Sequence, residues 1–215
     1  MKNLNRKDLS KISREDLELN ERDREYGPII IRKVVTTLVK HGLLNINDMD
    51  RSDVLGETLK LIEDMDFKFV LDYKENILEH ARKFRMNNEI QLSYLLYATW
   101  FEHWINEMIS ILAGRKDLND KEIYEIIRNI SIRGKYTWLL KLFEFEEIDE
   151  GHLKLIFKLI ELRNGFVHYK WNEKNDDLKD KETIVMENIE ETVEYLMDIE
   201  NKYIYNNSKE KLLYI

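Results

Sequence analysis

The stretch NEIQLSYLLYATWFEHWINEMISILAG, residues 88 to 114, constrains the fold more than any other. Leu92, Leu95, Leu96, Trp100, Phe101, Trp104, Ile105, Met108, Ile109 and Leu112 occupy nearly every side of a helix drawn through it. A helix that is apolar all round is buried on all sides or shared with a second chain. Its neighbours must therefore surround it, and Gly114 is placed to end it.

Those neighbours read as helices too. DLNDKEIYEIIRNI starts on an Asn/Asp cap and carries Ile123, Ile126, Ile127 and Ile130 at helical spacing. KYTWLLKLFEF reads as a short helix, and IDEGHLKLIFKLIELRN as a longer one. ETIVMENIEETVEYLMDIENKYI aligns Ile189, Val193, Leu196 and Ile199. Between the last two lies WNEKNDDLKDKET, a polar segment that breaks the apolar pattern and is expected to be an exposed loop. One Pro and seven Gly in 215 residues are too few turn formers for a strand-rich fold. The fold class expected is all-α: an up-and-down bundle over residues 88–205, preceded by a helical extension over 1–85 and followed by a C-terminal tail, 206–215.

The extension is less uniform. Residues 1–26 mix Lys, Arg, Asp and Glu with sparse Leu and Ile, as a solvated or docking arm would. Pro28 suits the first turn of a helix through IIIRKVVTTLVKHG, closed near Gly42. Asn and Asp caps precede a helix of roughly residues 51–64. FKFVLDY, residues 67–73, alternates apolar and polar and is open to a short strand or to the start of the helix that runs on through KENILEHARKF.

Composition excludes several chemistries. There is no cysteine, hence no disulfide, thiolate zinc site or cysteine nucleophile. No Gly-rich phosphate loop and no nucleophile elbow are present. His103 and Glu107 are four apart, but no second ligand pair accompanies them, so neither metal nor cofactor is expected. The start of the chain lacks the apolar core of a signal peptide, and no apolar run matches a membrane span. A cytoplasmic protein without a membrane partner is the expectation. A net charge of −8 argues against a general nucleic-acid coat but leaves room for a local basic cleft.

The chemistry-bearing segment is ELRNGFVHYKW, residues 161–171, at the end of an apolar helix. Arg163 offers a planar cation that matches phosphate, and His168 a group that exchanges protons near neutrality. RNA carries its own nucleophile, the 2′-hydroxyl, so an Arg and a His from each of two chains suffice to cut it without metal. The same residues also suit a polar helix C-terminus facing the helix dipole. On a straight helix Arg163 and His168 lie roughly 140° apart, so either the helix distorts at Gly165 or the Arg reaches round. Arg128, Arg133 and Lys135, with Tyr136 and Trp138, form the best basic and aromatic cluster, a candidate RNA contact or a solvated edge with core aromatics.

R-N-G-F-V-H at the close of an apolar helix resembles the R-x4-6-H signature of HEPN domains, in which a polar residue commonly follows the Arg, as Asn164 does here. The long helix with Glu102, His103 and Asn106 is similar to the first bundle helix of that family. The likeness spans residues 88–205. It implies a metal-independent endoribonuclease acting as a homodimer, of the kind used as toxins or in abortive infection and phage defence, with an antitoxin or defence-system protein as partner. It assigns Arg163 to the scissile phosphate, His168 to general acid or base catalysis, Asn164 to orientation and Glu102 to support. Some toxins of this class are controlled at a Tyr two places after the His, where this chain has Lys170. The competing reading is a non-catalytic module of the same fold that binds a nucleotide or a protein.

Overall fold

The computed structural model describes residues 21–62, 73–167 and 186–215. Every described element is helical, and no strand occurs among the described residues. In chain order these are α1 (Glu21–Lys40), α2 (Arg51–Ile62), α3 (Lys74–Met86), α4 (Ile90–Gly114), α5 (Asp120–Asn129), α6 (Ile132–Gly134), a π turn (Lys135–Leu139), α7 (Leu140–Leu142), α8 (Glu150–Val167), α9 (Met186–Tyr205) and a 3-10 segment (Lys209–Tyr214). The all-α expectation holds. The charged arm before residue 21, the first part of FKFVLDY and the loop WNEKNDDLKDKET lie outside the described residues.

α4 is the axis of the molecule. Tyr97, Trp100, Phe101, Trp104, Ile105, Met108 and Ile109 on it are fully enclosed. α3 packs along it and ties to it where the Ser93 hydroxyl donates to the Ala81 carbonyl at 2.9 Å. α8 covers another side with Ile156, Leu159 and Ile160, and α9 closes the core with Ile189, Val193, Leu196 and Ile199. Burial of such a side chain contributes about 1.5–3 kcal/mol, which is why the apolar stripes rather than local propensity fix these helices.

Helix ends follow local chemistry. Gly42, at φ +74°, closes α1: its N–H reaches the Val39 carbonyl at 3.0 Å and the Leu43 N–H reaches Leu38 at 2.9 Å. Asn119 and Glu122 form a reciprocal capping box on α5. Arg115, just past α4, donates to the Lys40 carbonyl at the end of α1 and to the Tyr203 and Ile204 carbonyls at the end of α9. One guanidinium thus satisfies orphan carbonyls of two helices.

Two expectations need correction. Pro28 lies inside α1 rather than in the first turn of a helix. A proline there gives up the bond to the carbonyl four residues back, a cost that local signals alone assign to a helix start. KYTWLLKL is not a plain short helix but a π turn flanked by single α turns. Its apolar spacing fits both, and π turns recur at functional sites.

A buried ionic network joins distant parts of the chain. Lys74 Nζ contacts Glu200 Oε2 at 2.9 Å and Glu107 Oε2 at 2.6 Å, and Lys40 reaches Glu107 Oε1 at 2.5 Å. Trp104 Nε1 adds a bond to Glu200 at 3.1 Å. Lys209 Nζ also approaches Glu200 Oε1 at 3.9 Å, so each carboxylate taken from water has lysine counter-ions beside it.

Candidate functional site around Arg163 and Glu102

One stripe of α4 is only partly covered. Leu92 is exposed, Leu95, Leu96 and Thr99 are half-buried, and one turn on come Glu102, His103 and Asn106. The stripe runs from apolar to polar at helical spacing, and its polar half faces the end of α8. The site is built where these elements meet.

Arg163 sits near the end of α8, its side chain 23 % exposed. Its guanidinium pairs through Nη1 with the Glu102 carboxylate. Nη2 and Nε also donate to the Asn164 Oδ1, at 3.1 and 3.3 Å. Three of the predicted site residues, Arg163, Asn164 and Glu102, are therefore in one contact group. α8 continues through Gly165 to Val167, so it does not break at the glycine. Arg163 instead reaches across to α4. His168 lies outside the described residues.

The basic cluster is dispersed. Arg128 is exposed on the last turn of α5. Arg133 lies over the Phe157 ring of α8, its guanidinium carbon 4.3 Å from the ring centre. Lys135 is turned inward and 4 % exposed, with Nζ donating to Asn106 Oδ1 at 2.8 Å. Burial pulls the Lys135 ammonium below the ordinary lysine range, and the nearby Glu102 charge pulls the other way without cancelling it. Tyr136 is core: it stacks on Trp104 with ring centres 6.1 Å apart, and its hydroxyl donates to the Phe101 carbonyl at 2.6 Å. Trp138 is 51 % exposed and belongs to the outer face of the π turn.

The π turn thus places a lysine against Asn106, one helical turn from Glu102, on a carrier pinned to α4 by Tyr136. In the sequence Lys135 reads as a possible RNA contact or part of a solvated edge; the structure turns it inward instead. Asn106, one turn from Glu102 on α4, is the available signal: a half-buried amide set among core positions takes a polar partner.

Two of the remaining histidines, His152 and His80, have structural partners. His152 Nδ1 lies 2.9 Å from the Thr192 hydroxyl, and its ring stacks on Tyr195. His80 Nδ1 lies 2.7 Å from the Asn76 carbonyl. His41, beside Arg115 and Lys40, is held below the usual imidazole range by burial first and by those two cations second. His103 is exposed, and its candidate metal partner Glu107 is taken by two lysines. Among the described residues no group of three or more His, Asp or Glu is placed to hold a metal, and no helix is long and apolar enough to cross a membrane. No protein-family model, curated protein or solved structure matches this chain.

Proposed function

We propose that this protein is a metal-independent endoribonuclease of the HEPN type, a homodimeric toxin or phage-defence effector. The observation that carries the reading is the grip on Arg163: a guanidinium at a helix end, oriented by Glu102 from α4 and by its own neighbour Asn164. Such a fork, once turned to solvent, takes two oxygens of a phosphodiester. His168 follows on the next turn of sequence. In the reaction the RNA 2′-oxygen gives up its proton to a base and bonds to phosphorus. The bond to the 5′-oxygen breaks, and that oxygen is protonated by an acid. One imidazole from each chain supplies the base and the acid, while Arg163 faces the charge that grows on the phosphoryl oxygens.

The partly covered stripe of α4 supports the dimer. Exposed Leu92 and half-buried Leu95 and Leu96 lie on the same face as Glu102 and His103, so a second copy seated on the apolar half brings its own site alongside.

A second reading has one observation in its favour. Arg163 is already satisfied within the chain, and the body carries −8, which suits a module that binds a nucleotide or a protein without cutting RNA. Expression in a bacterial host separates the two. Growth arrest that Arg163→Ala and His168→Ala both relieve supports the nuclease. Arrest that persists in both variants, or no arrest with any of the three proteins, favours the binding module.

A further inference from the structure

We propose that Lys135 is a positioning residue: it serves as the standing counter-ion of Glu102, so that Arg163 can leave Glu102 and bind a phosphodiester. The inference rests on the ribonuclease reading and concerns how its phosphate site is made available.

In the free protein Arg163 is parked. Its guanidinium pairs with Glu102, which has no other hydrogen-bond or ion-pair partner among the described residues. The pair lies near the surface, with side-chain exposures of 23 % and 34 %, so the pairing itself contributes little to stability. Parting the two ions is a different matter. Glu102 would then lose its hydrogen-bonded cation, and a second cation held close by lowers the cost of that exchange.

Lys135 removes that obstacle. It is nearly inaccessible, and Asn106, the residue one turn beyond Glu102, accepts a bond from its ammonium at 2.8 Å. The carrier of Lys135 cannot drift, because Tyr136 is locked into the core through Phe101 and Trp104. A neutral amide does not balance a charge, and the bond to Asn106 holds the ammonium one helical turn from Glu102, although the two make no ion pair while Arg163 occupies the carboxylate. The two cations are thus unequal. Arg163 is long, partly exposed and at a helix end, whereas Lys135 is fixed and enclosed.

Charge completes the case. Arg163 and Lys135 against Glu102 leave a surplus of one positive charge, on a chain of net −8. A phosphodiester carries a single negative charge and neutralises that surplus when it takes Arg163. Lys135 then becomes the cation nearest Glu102, and the partly buried carboxylate keeps a counter-ion.

The test uses the full chain and two fluorescent oligoribonucleotides, one fully 2′-O-methylated for binding and one unmodified for cutting. Lys135→Met is expected to weaken binding of the methylated strand about tenfold and to raise KM more than it lowers kcat. Lys135→Arg is expected to bind like wild type. The double variant Glu102→Gln with Lys135→Met is expected to regain the lost binding, since a neutral residue 102 no longer needs a counter-ion. Should Lys135→Met fail to fold, Asn106→Ser unpins the same ammonium and is expected to weaken binding in the same way. Wild-type binding and cutting by Lys135→Met or Asn106→Ser overturns the positioning role and leaves the nuclease reading intact. A double variant as weak as Lys135→Met also overturns it, since Lys135 then acts on the phosphate or the fold rather than through Glu102. Wild-type protein that neither binds nor cuts either strand overturns both proposals.

Discussion

Glu102 of α4 and Arg163 of α8 form an ion pair across the seam between the two helices, 61 residues apart in sequence. The pair is half exposed to water, unlike the contact of Lys74 with Glu200, whose carboxylate is 1 % exposed. That difference sets their energetic roles. Glu102→Gln is expected to cost about 1 kcal/mol or less of stability, because solvent screens the pair. Lys74→Ala is expected to cost about 3 kcal/mol, because it takes the nearest cation from the buried Glu200 and leaves only the Trp104 N–H and, at 3.9 Å, Lys209. Urea unfolding of the two variants checks the order. Equal losses contradict it.

Stability is expected to fall in acid. Burial pushes the Glu107 carboxyl up, but Lys74 and Lys40 together pull it further down, to a net position below its ordinary 4.5. Glu190 follows the same pattern: burial raises it, and the bonds from Arg82 and Tyr97 outweigh that. A folded pKa below the unfolded one gives stability that is present above about pH 4.5 and lost as pH falls through the depressed value. At the other end, burial lowers Lys74, but Glu200 and Glu107 carry it above 10.5. Its contribution is complete below pH 10.5 and is lost as pH rises through the raised value. Urea midpoints between pH 7 and 3 are expected to fall in wild type and to fall less in Glu107→Gln with Glu190→Gln. A flat wild-type profile contradicts this.

The capping box gives a local prediction. The Asn119 side chain accepts bonds from the Lys121 and Glu122 N–H groups at 3.0 and 3.1 Å. Asn119→Ala is expected to cost about 1 kcal/mol, read from thermal unfolding, with no effect on RNA cutting. A loss of activity larger than the loss of folded protein tells against a purely structural cap.

The stripe on α4 gives another. Leu92→Asp places a charge on the apolar half of the proposed dimer face while leaving Glu102 and Arg163 untouched. Sedimentation is expected to show a dimer for wild type and a monomer for the variant, with cutting lost in parallel. A monomeric wild-type protein that cuts RNA contradicts the shared site.

Much of the fold was legible from the chain because its helices are specified by stripes and caps, which are local. Ile189, Val193, Leu196 and Ile199 were read as one face and are one buried face. Gly42, Asn119 and Gly114 mark helix boundaries as their chemistry suggests. What escaped was non-local. Arg115 caps α1 and α9 across separations of 75 to 89 residues, and no pattern near Arg115 signals it. Lys74 and Glu200 are 126 residues apart. Lys135 reads as a surface cation because lysines usually are; only the π turn and the amide of Asn106 turn it inward. At the site, the Arg163 and Asn164 pairing and the help from Glu102 could be guessed from residue type. That Arg163 would be occupied by Glu102 in the free protein could not, since the register of α8 on α4 is set by packing of the whole bundle.

The most direct measurement is cleavage of a defined RNA by purified wild-type, Arg163→Ala and His168→Ala proteins in excess EDTA, with the new ends identified by mass spectrometry. The expected result is cutting by wild type alone, leaving 2′,3′-cyclic phosphate and 5′-hydroxyl ends, from variants that melt like wild type. Cutting that EDTA abolishes, cutting that survives loss of Arg163 or His168, or products with 5′-phosphate ends contradicts it.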